Sequence, residues 1–358
     1  MITRHYDLSV SIPALSLIGI PEQECVFFDI ETTGFKAAWS RVYLIGAALH
    51  TSKGWRIIQW MSEGDEEETA LLMMFASFVR PFSSLIHFNG TRFDLPFLQE
   101  RYAACSLPYP LGDMNSVDIY RDIRPFRTLF GLERMNQKTL ESFLSCHRED
   151  RFDGGELIRV YHDFCGTNDP ASRQDALDLL LLHNMEDVKG MLTLTSLYAC
   201  RQLLRTEPVS DVSGAGIFGM LSHVQLPFPC EIHKDFEWGS LLLSGCEASL
   251  RIAVTEGQMY HFFSNYQDYY YLPDEDEAIH KSVAAYVDRH YRRKATARTC
   301  YIKKTGSFLP VFDHVDLPLF RSSYEDHQSL IMMPEDPSDP AFLQPYWRQC
   351  IAQAISGG

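Results

Sequence analysis

The sequence has 358 residues, 46% of them hydrophobic, with a formal net charge of −15. That length suits two domains or one large one, and the composition is that of a soluble globular protein with no apolar stretch near the ~20 residues that span a bilayer. The acidic balance argues against simple nonspecific binding to duplex nucleic acid, which takes a basic surface.

In chain order, residues 27–31, 42–49, 55–60 and 85–88 read as strands, and Ser52-Lys53-Gly54 reads as a hairpin turn joining the second to the third. The first strand carries Cys25-Val26-Phe27-Phe28-Asp29-Ile30-Glu31-Thr32-Thr33-Gly34, an apolar run with two acids. Strand side chains alternate, so Asp29 and Glu31 share a face. At ~4 Å and an effective dielectric of ~20 their repulsion is about 4 kcal/mol, which a cation between them relieves. Hard oxygen ligands suit magnesium or manganese. Two solvated acids at a strand end are the plainer alternative.

Residues 66–79 read as a helix ended by Pro81. The strand at 85–88 runs into Asn89-Gly90, a turn signal, and then a helix over 93–104 with Pro96 in its first turn. Asp94 thus falls at a helix N-terminus, pointing back toward the strand ends; the dipole alone also favours an acid there. Residues 117–120 are a candidate fifth strand, and short helices follow. The leucine-rich segment 176–204 reads as a long helix carrying His183-Asn184-Met185-Glu186-Asp187. His183 and Asp187, four apart, share a helix face, which fits a general base beside a metal ligand or an exposed polar pair. The whole is an α/β pattern of mixed five-stranded sheet flanked by helices.

Asp-Ile-Glu-Thr-Thr-Gly, Asn-Gly-Thr-Arg-Phe-Asp and His-Asn-Met-Glu-Asp together resemble the three motifs of the DEDD 3′–5′ exonuclease superfamily. The second is also similar to the proofreading domain of family B DNA polymerases. Over residues 22–205 the chain resembles the YprB-like family, with Arg148, Asp150, Gly154 and Tyr161 in similar places between motifs two and three. The resemblance implies a ribonuclease H-like fold and a metal-dependent nuclease. Asp29, Glu31, Asp94 and Asp187 would hold two ions of magnesium or manganese, and His183 would act as base. Thr33 and Asn89 would touch substrate or support the site, though each is also an ordinary turn residue. In this superfamily a catalytic histidine usually stands five residues before the last aspartate and a tyrosine four before; His183 has the tyrosine's spacing.

The resemblance further implies a nucleic-acid substrate, DNA or RNA, as a single strand or 3′ end. It calls for no nucleotide cofactor and no membrane. An inactive nucleic-acid-binding or scaffold protein on the same fold and a structure-selective endonuclease are the other readings; the four acids weigh against the first.

Past residue 205 the texture changes. The expected organisation is a catalytic domain over 1–205, a linker over 206–235 marked by Pro208, Ser210, Ser213, Gly214 and Gly216, an α+β domain over 236–332 and a tail over 333–358. Strands are expected over 240–254, 258–263 and 266–272, an amphipathic helix over 276–294 and a hairpin around Gly306. The tail ends in a short helix near 342–355. Basic residues cluster at Arg121, Arg124, Arg127, Arg134 and Lys138, and again over 289–304, where Tyr291 and Tyr301 interleave. Cations among aromatics suit single-strand binding, so Arg292, Arg293 and Lys294 are candidate substrate residues; a solvated face reads equally well.

Nine cysteines, an odd number with no Cys-x-x-Cys, support neither a disulfide framework nor a zinc site, and the expected compartment is the cytoplasm. The first twenty residues, with no small-residue cleavage site, do not read as a signal peptide.

Overall fold

The apolar run around Asp29 forms the strand its pattern predicts. In the computed structural model, which describes residues 1–8, 13–152, 154–211 and 216–357, that strand lies inside a mixed six-stranded sheet of order β1-β4-β3-β2-β5-β6. The strands are β1 (Ile2–Leu8), β2 (Cys25–Thr32), β3 (Val42–Thr51), β4 (Gly54–Met61), β5 (Ser84–His87) and β6 (Asn115–Asp118). The helices of this part are α1 (Glu68–Val79), α2 (Asp94–Ala104), α3 (Ile119–Ile123), α4 (Arg127–Phe130), α5 (Gln137–Phe143), α6 (Gly154–Gly166) and α7 (Pro170–Leu194).

β1, β4, β3 and β2 pair antiparallel, whereas β5 and β6 join β2 in parallel. The expected five strands are therefore six. β1 escapes the pattern because it is an edge strand whose residues are all exposed or half-buried, with no apolar alternation to read.

Alternation along β2 decides what each face holds. Val26, Phe28 and Ile30 pack with Leu71, Phe75, Leu98 and Tyr102 of α1 and α2. The other face of the sheet is covered by α6 and α7, where Tyr43, Leu44 and Met61 meet Leu157, Tyr161, Phe164 and Leu180. Tyr43 and Tyr161 stack with centroids 3.9 Å apart. α7 starts cleanly: Asp169 accepts from the Ser172 backbone N–H at 2.9 Å, and Pro170 follows at the first helical position.

The chain divides into two compact units, residues 1–200 with 226–229, and residues 201–225 with 230–358. The second unit is mostly antiparallel sheet. Five strands run in the order Val209–Asp211, Ile217–His223, Glu247–Ala253, Gly239–Ser244, Glu231–Phe236; a four-stranded and a three-stranded sheet complete it. Helix Pro340–Ser356 is tied to the same unit by Trp347, whose indole N–H donates to the Leu203 carbonyl at 2.7 Å, and by Tyr346, whose hydroxyl donates to the Pro310 carbonyl at 3.0 Å.

Three expectations for this region change. The stretch 206–235, read as linker from its Pro, Ser and Gly content, contains three sheet strands, although Ser213 and Gly214 lie outside the described residues. The helix expected over 276–294 is instead strand Glu277–His280, one helical turn at Lys281–Ala284 and a short strand at Arg293–Lys294. Val283, on the expected apolar stripe, is 59% exposed, while Ala278 enters a small core with Cys300 from its strand. Gly306 is no turn either: it pairs with Gly257 inside one continuous strand, Tyr301–Pro310.

Candidate active site

Because Val26, Phe28 and Ile30 face α1 and α2, Asp29 and Glu31 face α7. Pairing with β3 slips by one residue between Glu31 and Thr32, a bulge at the point where the motif strand leaves the sheet.

Asp94 comes from the turn after β5. Asn89 has φ 59, and its N–H donates to Asp118 Oδ1 at 2.9 Å, while the Thr91 N–H donates to Oδ2 at 3.3 Å. The Gly90 N–H donates to His87 Nδ1 at 3.1 Å, which leaves Nε2 to donate to Ser116 Oγ at 2.8 Å. Burial, with Arg121 adding to it against the pull of Asp118, lowers His87 to about 4, so this ring is neutral and holds the turn. α2 then begins at Asp94, which is buried.

α7 supplies His183, Asn184 and Asp187. It lies so close to β3 that a Cβ on Gly46 would come within 2.1 Å of Asn184 Oδ1. Gln59 donates its amide to Asn184 Oδ1 at 2.8 Å and to the Leu181 carbonyl at 2.9 Å. Asn184 Nδ2 donates to Asp29 Oδ2 at 3.0 Å. This buried relay fixes the Asp29 carboxylate. It was not read from sequence, although Gln59, a wholly buried amide in an apolar strand, is its visible trace.

Asp29, Glu31, Asp94, His183 and Asp187 all line one cleft of about 620 Å³. Ligand atoms of Glu31, His183 and Asp187 lie within 4.8 Å of one another. His183 Nδ1 is 2.7 Å from Asp150 Oδ2, and its Nε2 is 3.2 Å from Asp187 Oδ2 and 3.6 Å from Glu31 Oε1. Arg148 reaches three acids: Asp187 Oδ1 at 2.5 Å, Glu141 Oε2 at 3.1 Å and Glu186 Oε2 at 3.5 Å. Arg148 and Asp150 were marked in sequence only by family likeness; no periodicity announces them.

Three of the four carboxyls are pushed up and one is held down. Burial, then the charges of Asp187, Glu31 and Asp94, hold the Asp29 carboxyl well above the usual range. Burial raises Glu31 to about 8, with His183 opposing and Asp187 adding to the rise. Burial raises Asp94 to about 7 against the pull of backbone hydrogen bonds. For Asp187, burial is outweighed by His183 and Arg148, and its pKa is lowered. For His183, burial would favour the neutral ring, but Asp187, Glu31 and Asp150 hold it protonated up to about 9. More negative charge meets here than the buried cations balance. Glu31 and Asp187 meet at ligand distance beside His183, and Asp29 and Asp94 line the same cleft; carboxylate oxygens are the donors of a hard divalent cation, so these residues fit magnesium or manganese.

The remaining expected residues fall elsewhere or play other parts. Asn89 lines the cleft, but Thr33 does not: its hydroxyl accepts from the Arg41 N–H at 2.9 Å and its own N–H donates to the Arg41 carbonyl, closing the turn after β2. Arg292, Arg293 and Lys294 belong to the second unit, where Arg292 lies over the Tyr270 ring at 4.9 Å and Arg293 and Lys294 pair with Tyr271 and Tyr270.

Residues 26–199 match the model of the RNase_H_2 family, of the RNase H superfamily. The first unit is therefore ribonuclease H-like, with the mixed sheet and flanking helices of that fold. No curated protein matches the sequence.

Among solved structures, the family B DNA polymerase of Pyrobaculum calidifontis is similar at 14% identity and a TM-score of 0.39, covering 94% of this chain and 46% of that one. E. coli Exonuclease I in complex with a dT13 oligonucleotide is similar at 12% identity and a TM-score of 0.30, covering 62% and 55%. Brucella melitensis NrnC bound to pGG is similar at 17% identity and a TM-score of 0.26, covering 49% and 81%. The chain spans about half the length of the first two.

Proposed function

We propose that this protein is a divalent-metal-dependent nuclease that hydrolyses phosphodiester bonds by DEDD-type chemistry, removing nucleotides from a 3′ end. The observation that carries the reading is the lining of one cleft by Asp29, Glu31, Asp94 and Asp187 with His183 among them, in a ribonuclease H-like domain. Asp29, Glu31, Asp94 and Asp187 would hold two ions of magnesium or manganese, which when bound supply positive charge to the attacking and leaving oxygens.

The chain's own residues do the rest. The Gln59–Asn184 relay holds Asp29 against rotation, and Arg148 holds Asp187. Asp150 fixes the His183 ring by Nδ1, so Nε2 faces Glu31 and Asp187; the ring would take the proton of the attacking water only once cations held by those acids had displaced its own Nε2 proton. In the absence of bound cations His183 supplies part of the positive charge itself, paired with the same acids.

The test is a panel of end-labelled DNA and RNA oligonucleotides, linear and circular, incubated with manganese with and without chelator. Stepwise shortening from the 3′ end of linear strands, abolished by chelator and by Asp94→Asn, is expected. Cutting of circles would make the enzyme an endonuclease. No cleavage of any substrate would leave a nucleic-acid-binding protein on this fold.

A further inference from the structure

The active-site cleft does not close at Asn89. A second hollow of about 150 Å³ continues from it, and Asn89, Arg92 and Tyr120 line both. Arg121 and Arg124 line only the smaller one. A hollow this size is too small for a whole ligand, since small-molecule sites run from about 300 to 1,000 Å³. It suits one group of a ligand whose body lies in the larger cleft.

The chemistry of its rim is specific. Three arginines converge on it, and all are exposed. Among the described residues Arg92 and Arg124 have no ion-pair partner, while Arg121 is 3.6 Å from Asp122. The floor acid, Asp118, is already engaged: its carboxylate accepts from the backbone N–H groups of Asn89, Thr91 and Arg121. Guanidinium groups without a carboxylate partner match the oxygens of a phosphate. Beside them, Phe88 and Tyr120 meet edge to face with centroids 5.7 Å apart, both half-buried, and both line the larger cleft. Cations with a planar ring beside them are what single-stranded nucleic acid takes: the cations follow the phosphates and the ring takes a base.

We infer that the Arg92–Arg121–Arg124 hollow is a phosphodiester subsite of the substrate strand, and that Tyr120 with Phe88 is the platform for the adjoining base. The inference rests on the proposed nuclease reading for its ligand. It places strand binding within the ribonuclease H-like unit itself, in an otherwise acidic chain.

The experiment is fluorescence anisotropy of the full-length protein with a labelled single-stranded oligonucleotide across a salt series, in calcium to suppress turnover. Arg92→Ser with Arg124→Ser is expected to weaken binding and to flatten the plot of log affinity against log salt by up to about 1.4, at ~0.7 per phosphate contact. Tyr120→Ala is expected to weaken binding roughly 5- to 150-fold with the slope unchanged, because stacking releases no counterions. The manganese-induced thermal shift of each variant serves as the folding control and is expected to match wild type. Wild-type binding with unchanged affinity and slope in the double-arginine variant would overturn the subsite and leave the nuclease reading standing. Failure of the wild type to bind any oligonucleotide would overturn both.

Discussion

The first unit buries two groups of opposite charges, and they are built differently. Around Glu68 the account closes: Arg101 meets it through Nε at 2.8 Å and Nη2 at 2.6 Å, the Val42 N–H donates to it at 2.9 Å, and Arg41 adds a contact at 3.4 Å. One carboxylate has two cations and a backbone donor, and it ties α1 to α2 and to the start of β3. Around Asp187 it does not close: Asp29, Glu31, Asp94, Asp187, Glu141, Glu186 and Asp150 share Arg148, His183 and Lys138. A satisfied buried pair is structure; an excess of buried acid stores repulsion that a bound cation relieves.

The sharpest way to break this contrast is through rate. If the open cluster is built for chemistry, His183→Ala should lower turnover roughly 10²- to 10⁴-fold while the manganese-induced thermal shift persists. Changes at Glu68 should act on activity only through the folded fraction. The check is single-turnover cleavage of a labelled oligonucleotide at saturating manganese. A His183→Ala enzyme within threefold of wild type would remove the ring from proton transfer.

Stability separates the two arginines. Arg101→Ala leaves Glu68 buried without its main partner, at a cost of about 3–5 kcal/mol that no ion restores. Arg148→Ala also unpairs buried acids, but these face the proposed cation site. Manganese at ~100 times Kd should give Arg101→Ala the same gain as wild type, about 2.7 kcal/mol, and Arg148→Ala a larger one, read as urea midpoints with and without the ion. Equal responses would mean that the two clusters are of one kind.

How much of this was legible follows from where the constraint lies. Asp29 and Glu31 were readable because strand alternation is local, and Asp94 because Asn-Gly and Pro96 mark the turn and the helix start. His183 and Asp187 were readable because helical spacing puts them on one face. The supporting contacts were not. Gln59 and Asn184 are 125 residues apart and Asp150 and His183 are 33 apart, so their meeting is decided by packing and not by any local pattern. Over 276–294 the apolar spacing predicts a helix, but pairing of Glu277–His280 with Tyr269–Leu272 prevails. An amphipathic face holds a helix only if something covers it.

The pH dependence of stability is the most direct measure of the stored repulsion. Glu31 is raised to about 8 and Asp94 to about 7, each above its unfolded value, so the folded state binds these protons more tightly than the unfolded chain. Their contribution is full below the unfolded carboxylate range and is lost as pH rises through the folded values. His183, raised to about 9, adds the same sign above neutrality, whereas Asp187 and Asp150 are lowered and act only as acid is approached. In chelator, the protein should therefore lose stability between roughly pH 5 and 8, and Asp94→Asn should flatten that loss. With manganese present the trend should reverse, because protons and cations compete for the same oxygens and binding strengthens as protons leave. Urea midpoints at unit pH steps, with chelator and with manganese, measure both slopes. If the Asp94→Asn protein keeps the wild-type slope in chelator, Asp94 does not share the repulsion, and the open cluster is smaller than the four carboxylates drawn here.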